Sequence, residues 1–405
     1  MNQDVVVTGV DVVAPNGVGI ETYWAATLKG VSAIRPISRF DAAGYPVRLA
    51  AEIPEFDAER TFPKRLLPQT DRLTQLSMMC ADTALADAGV DPAALPEFAA
   101  GVAVSSATGG LEFGQRQLQQ LWGTGWESVS PYMSFAWYYA VNTGQISIRN
   151  GMRGPGGVVV SEQAGGLDSI AFARRRVRKG TPVMVTGGFD SMLCPYGVST
   201  VSAATGVSRS EDPERAYLPF HSSSSGFVPG EGGAVLVLES REGAAERGAP
   251  TVHGVVAGHA AAFDPDAAGS SGDGLLRAAR AALADAGAAA EDIDVVFADA
   301  AGSVPLDRAE ADALTTLFGT RRVPVSAPKA LVGRMMSGGA ALDVVTALLS
   351  MRDGVVPPVP DLDRTAVDPR IDLVVGEPRT QEVRSALVLA RGHGGFASAM
   401  VLTKP

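Results

Sequence analysis

The six residues Ala84-Leu85-Ala86-Asp87-Ala88-Gly89 recur letter for letter as Ala282-Leu283-Ala284-Asp285-Ala286-Gly287. Each copy closes a segment with helical spacing. In the first, Leu73, Leu76, Met79, Cys80, Thr83 and Ala84 share a face; the second runs from Leu275 to Ala286. Each ends on a glycine, the residue that leaves a helix in the left-handed conformation at least cost. A strand-like run follows each, Ala100–Ser105 and Asp294–Ala298. Another precedes each: VVVTGVDVVAPNG from residue 5 and VHGVVAGHAAAFD from residue 252 share a pattern. Six letters alone can coincide in an alanine-rich chain. The shared order of strand, helix and strand predicts an α/β fold of two similar lobes, residues 1–250 and 251–405. Within it, Val5–Val7 reads as a strand ended by Thr8-Gly9, Ala14-Pro15-Asn16-Gly17 as a turn, and Glu239–Pro250 as a charged surface crossing.

Composition excludes several classes. No stretch of 18 or more apolar residues appears, so no membrane span is expected. Met1–Val7 carries no basic, apolar leader pattern. A formal net charge of −10 argues against non-specific nucleic-acid binding. Cys80 and Cys194 sit in apolar surroundings and read as core thiols of a cytoplasmic protein. No spacing suggests a metal site.

The segment GGVVVSEQAGGLDS, from Gly156 to Ser169, carries the chemistry. An apolar strand is expected to enter a small-residue turn, followed by a helix that ends at Gly180. Such an elbow usually presents a nucleophile at a helix N-terminus, where free N–H groups favour negative charge. The residue at the tip is Gln163. An amide is no acyl-transfer nucleophile at neutral pH, but it donates and accepts hydrogen bonds. Two readings stand: a changed catalytic position, or an amide that satisfies a buried turn.

The whole chain resembles the β-ketoacyl synthases of the thiolase fold, from VVVTGVDVVAPNG to ARGHGGFASAMVL. That family's elbow is T-G-C-T-S-G-L-D; here it reads SEQAGGLD, with Gln163 in place of the acyl-accepting Cys. SEDPERAYLPFHSSSSGFVPGEGG, from Ser210, matches the family's D-P-x-x-A-x-x-P-F-D-x-x-x-x-G-F-V-x-G-E-G stretch. The resemblance implies two duplicated lobes in a five-layer αβαβα arrangement. It places Asp299 where the family has its first His and Arg334 where it has its second. Lys329 and Glu310 match a supporting ion pair that holds the loop. None of His221, His253 and His259 falls in those motifs; His393, in a GHGG turn, is the one candidate to flank the pocket and reads equally as a satisfied turn residue.

VVVSEQAGGLDS and SFAWYYAVNTGQISIRNGMRGP resemble the ketosynthase-β subunit, or chain length factor, of type II aromatic polyketide synthases. The resemblance implies a heterodimer with a catalytic ketosynthase-α. It also implies substrate carried on the phosphopantetheine of an acyl carrier protein, no bound cofactor, and an interface tunnel that limits product length. Leu111, Gly114 and Leu118, at i, i+3 and i+7, match that tunnel's gate; on spacing alone they are a core stripe with one glycine. Phe135 matches an aromatic that reaches toward the partner. The small gate residues imply a product longer than an octaketide, near a decaketide. The aromatic run Tyr132–Tyr139 reads as partner-facing or as core. Arg174–Lys179 reads as a charged helix end or as a dock for an acidic carrier protein. Two rival functions remain: a malonyl decarboxylase that makes the acetyl starter, and an inactive scaffold for another ketosynthase.

Overall fold

The computed structural model describes residues 4–54, 56–204, 206–266 and 271–405. Among the described residues ten strands form the continuous path of the main sheet, and the short strand Gly17–Val18 adds an eleventh beside the first: β1 (Val5–Ala14), β2 (Ala100–Ser105), β3 (Val183–Asp190), β4 (Gly232–Ser240), β5 (Gly254–Phe263), β6 (Val295–Phe297), β7 (Pro324–Ser326), β8 (Asp372–Leu373), β9 (Ser385–Arg391) and β10 (Phe396–Thr403). Their order is β8-β7-β6-β9-β10-β5-β1-β4-β3-β2. Among the described residues the ladder between the two half-sheets is Val6↔Val255 and Val7↔Gly254, at β1 and β5.

The halves repeat one plan. In the first, β1 pairs antiparallel with β4, β4 antiparallel with β3, and β3 parallel with β2. In the second, β5, β10, β9 and β6 follow with the same senses. Helices α1 (Arg72–Asp87) and α3 (Val141–Arg149) cover one outer face, α5 (Asp273–Ala286) and α6 (Val304–Phe318) the other. Helices α4 (Gly165–Arg178) and α7 (Ser337–Asp353) lie between the half-sheets. The main core holds α4 and α7 residues together with Val10 and Leu236 from one half and Val295 and Met400 from the other. This is the five-layer αβαβα order. Among the described residues no helix is long and apolar enough to cross a membrane.

The repeated hexapeptide has a packing cause. A Cβ on Gly9 of β1 would lie 2.2 Å from the Ala84 carbonyl oxygen, and one on Gly258 of β5 would lie 2.2 Å from that of Ala282. Each lobe therefore lays its first outer helix directly onto a strand glycine. The aspartate three residues later then accepts a strand N–H: Val10 donates to Asp87 at 2.9 Å, His259 to Asp285 at 3.0 Å. Gly89 and Gly287 end the two segments at φ 63° and 66°.

The strand does not stop at Thr8-Gly9. It continues to Ala14 through an irregularity between Val7 and Gly9. The buried Thr8 hydroxyl donates to Glu239 at 2.5 Å, which keeps the polar side chain inside the sheet. Glu239 is correspondingly part of β4 and buried, so the surface crossing starts later, with a short helix at Arg241–Glu246. Cys80 and Cys194 are buried free thiols.

Two outcomes follow. Gly9→Ala and Gly258→Ala should each lower stability by about 1–3 kcal/mol through overpacking, read from denaturant midpoints. The second concerns Asp11, buried on β1. Desolvation pushes its carboxyl up to about 7, against hydrogen bonds from Val12, Cys80 and Thr83. The folded state therefore holds a proton that the unfolded chain releases near pH 4, and ionising Asp11 costs stability as pH rises from about 4 to 7. Against Asp11→Asn, which does not titrate, the native chain should lose up to about 4 kcal/mol of relative stability across that window. Thermal unfolding at pH 5 and pH 8 checks this; a constant difference between the two proteins contradicts it.

Candidate functional site

The elbow forms without the expected strand. Gly156 alone bridges Val102 of β2, and Val158–Val160 run half-buried to exposed, outside any strand. The turn is held by long-range bonds instead. The Ser161 hydroxyl donates to Asp168 at 2.6 Å, and the Ser337 hydroxyl to the Glu162 carbonyl at 2.9 Å. Glu162 sits at φ +51°, a strained conformation for a residue with a Cβ. The small residues after it are required by packing: a Cβ on Gly166 would lie 2.3 Å from the Ser337 carbonyl oxygen.

Gln163 is fully buried at the elbow tip, and among the described residues neither amide atom has a hydrogen-bond partner. It does not satisfy the turn. Its Oε1 stands 3.3 Å from where a Cβ on Gly339 would be, so α7 passes close beside it.

Asp299 and Arg334, far apart in sequence, meet at 3.1 Å. Arg391 joins them: its Nε donates to Asp299 at 3.1 Å, its backbone N–H to the same carboxylate at 2.8 Å, and its Nη2 to Glu310 at 3.2 Å. Glu310 also accepts the Asp299 and Ala300 N–H groups, both at 2.8 Å. Arg334, Asp299, Arg391 and Glu310 thus form a buried chain of alternating charge. Burial opposes ionisation of Asp299, but Arg334 and Arg391 outweigh it and hold the carboxyl below its usual range. Burial raises Glu310 despite Arg391. For Arg334 burial is again the largest influence and opposes the charge; Asp299 and Glu162 reverse it and raise the pKa.

The expected Lys329–Glu310 pair is not formed. Lys329 instead meets Asp343 of α7 at 2.6 Å and donates to the Ala298 carbonyl, while Glu310 takes Arg391. Neither Arg391 nor Asp343 stood out in the sequence; the one available signal was an arginine at the start of ARGHGG.

A cavity of about 370 Å³ opens beside this chain of charges, lined by Glu162, Phe227, Leu306, Arg334, His393 and Phe396 among others. His393 is exposed at its rim, with its backbone N–H donated to Glu162 at 3.0 Å. His221, His253 and His259 lie elsewhere, bonded to Ser223, Asp87 and Asp168 respectively. Arg174 is buried, bonding Asp285 and the Ala257 carbonyl, so it is unavailable to dock a carrier protein.

Leu111, Gly114 and Leu118 all lie on helix α2 (Leu111–Gly123). Asp190 positions its approach by accepting the Thr108 N–H at 2.9 Å, and Asp71 accepts the Phe113 N–H at 2.7 Å. The sequence did not point to either aspartate. Beside α2 the aromatic run is open to solvent: Trp137 is 47% exposed, Phe135, Tyr138 and Tyr139 nearly as much, and Trp122 and Trp126 are 78% and 76% exposed.

Residues 2–244 match the N-terminal domain of β-ketoacyl synthases and residues 251–363 the C-terminal domain. The chain belongs to the β-ketoacyl synthase family. Within the family it is 55% identical to the tetracenomycin polyketide synthase ketoacyl synthase beta subunit of Streptomyces glaucescens, over 99% of this chain and 98% of that one. It is 52% identical, with the same coverage, to the actinorhodin polyketide putative beta-ketoacyl synthase 2 of Streptomyces coelicolor. Its structure is similar to the ishigamide ketosynthase/chain length factor, with a TM-score of 0.90 at 28% identity, covering 100% of this chain and 99% of that one.

The buried ion pairs can be tested directly. Asp299→Ala leaves buried guanidiniums without their carboxylate and should cost about 3–5 kcal/mol. Adding Arg334→Ala should recover part of that loss, so a double-mutant cycle read by denaturant unfolding should show coupling of more than about 1 kcal/mol.

Proposed function

We propose that the chain is the non-condensing β subunit of a type II polyketide synthase pair. In this reading it heterodimerises with a catalytic ketosynthase and sets product length, while the substrate rides on the phosphopantetheine of an acyl carrier protein. The observation that carries the proposal is the state of the three positions matched to the family's catalytic residues. Decarboxylative condensation needs a thiolate to hold the chain and two neutral imidazoles to stabilise an enolate. Gln163 supplies no thiolate. Asp299 and Arg334 spend their charge on each other at 3.1 Å, with Arg391 as a third member. The Asp299 carboxylate is neutralised by these partners and offers neither repulsion nor polarisation to an enolate.

The open aromatic face supports the partner. Six aromatic residues between Trp122 and Tyr139 are exposed in a chain with 6% aromatics. Obligate subunit pairs bury on the order of 2,000 Å² or more of such surface. The names of the most similar relatives and of the similar structure point the same way. We place the gate at Leu111, Gly114, Leu118 and Phe135, and the lobe division near residue 250.

One observation favours a second reading. The buried Gln163 amide lacks any hydrogen-bond partner, which suits a group that binds and decarboxylates malonyl thioester.

Both are tested by incubating the chain, alone and with its ketosynthase partner, with malonyl-loaded carrier protein under mass spectrometry. The expected result is intact malonyl with the chain alone and a polyketide longer than an octaketide with the pair, shortened by Leu118→Phe. Conversion of malonyl to acetyl by the chain alone would promote the second reading, and a mainly octaketide product would remove the length assignment.

A further inference from the structure

We infer that the Trp137 side chain, rather than the space left by Gly114, sets how far a growing chain extends past the gate; this rests on the gate reading above. The space beside Gly114 is not empty. A Cβ there would stand 3.4 Å from the Cβ of Trp137. Two glycines before it carry the same segment: a Cβ on Gly110 would lie 2.0 Å from the Ala136 carbonyl oxygen, and one on Gly109 would lie 2.4 Å from that of Trp137. Gly109, Gly110 and Gly114 thus form a track across which Ala136–Tyr139 runs in van der Waals contact with the first turn of α2.

Neither side of this contact is loose. The start of α2 is tied to Asp71 and Asp190. Trp137 packs edge-on against Tyr138, with centroids 6.1 Å apart, and Tyr138 stacks on Tyr139 at 4.0 Å. Of the other gate residues, Leu111 turns toward the neighbouring helix Pro195–Ala203, with Cδ2 3.0 Å from where a Cβ on Gly197 would be. The half-exposed Trp137 therefore sits, through its Cβ, against the helix face that carries Gly114. A side chain longer than a methyl at position 114 meets the Trp137 Cβ first.

The test uses the reconstituted pair with malonyl-loaded carrier protein and product mass. Trp137→Ala should lengthen the main product by at least one two-carbon unit, with Trp137→Phe between it and the native protein. An assembled, active Trp137→Ala pair with native product length overturns the inference; if Leu118→Phe still shortens the product, the gate reading survives. If neither substitution moves the product of an active pair, both fall. Should Trp137→Ala fail to pair, hydrogen exchange of the isolated chain decides. Gly114→Leu should speed exchange of the Ala136, Tyr138 and Val141 amides by about tenfold or more as the segment is displaced. Unchanged protection overturns the inference.

Discussion

The structure converges on Ser337 and Gly338, where α7 begins. The Ser337 carbonyl oxygen sits so close to Gly166 and Gly188 that a Cβ on either would come within 2.3 Å of it. A Cβ on Gly338 would meet the Gly232 carbonyl oxygen at 2.1 Å. Ser337 also donates its N–H to Asp190 at 2.9 Å and its hydroxyl to the Glu162 carbonyl at 2.9 Å. One turn of helix therefore fixes the elbow, the central strands β3 and β4, and, through Asp190, the loop that launches α2. Close-packed interiors transmit such constraints because they have no slack. The elbow and the start of α2 are parts of one packed assembly.

This explains how the chain keeps a ketosynthase scaffold with Gln163 at the elbow and with Asp299 and Arg334 paired to each other. The elbow geometry depends on backbone contacts and glycines, not on the identity of the residue at its tip. The loops that would carry the two imidazoles depend on buried charge, and there the chain has built a substitute. Removing one member of such a network is expensive, whereas a complete, complementary set can be held. Glu310 and Lys329 are kept, but each has a new partner: Arg391 from β9 and Asp343 from α7.

Much of the fold was legible. The repeated hexapeptide marked the two outer helices because Gly9 and Gly258 demand alanine at the helix crossing and the following aspartate bonds the strand. The boundaries of β2 and α1 and the elbow helix were readable from local periodicity and glycine caps. Less was legible where distant residues decide. Val158–Val160 are β-branched, yet they form no strand, because among the described residues the backbone bonds to β2 run from Gly154 only as far as Gly157. Thr8-Gly9 looks like a strand end, yet Glu239 across the sheet accepts the hydroxyl and the strand continues.

The sequence by itself determined the lobed α/β plan and the identities of Gln163, Asp299 and Arg334, because these are matters of residue identity and short-range spacing. Only the tertiary structure decided what those positions do. That Asp299 and Arg334 cancel each other, that Arg391 completes them, that Gln163 bonds to nothing and that Trp137 lies over Gly114 each depend on side chains separated by tens to hundreds of residues. Distances of a few ångströms between such groups follow from how the layers pack, and no local pattern encodes them.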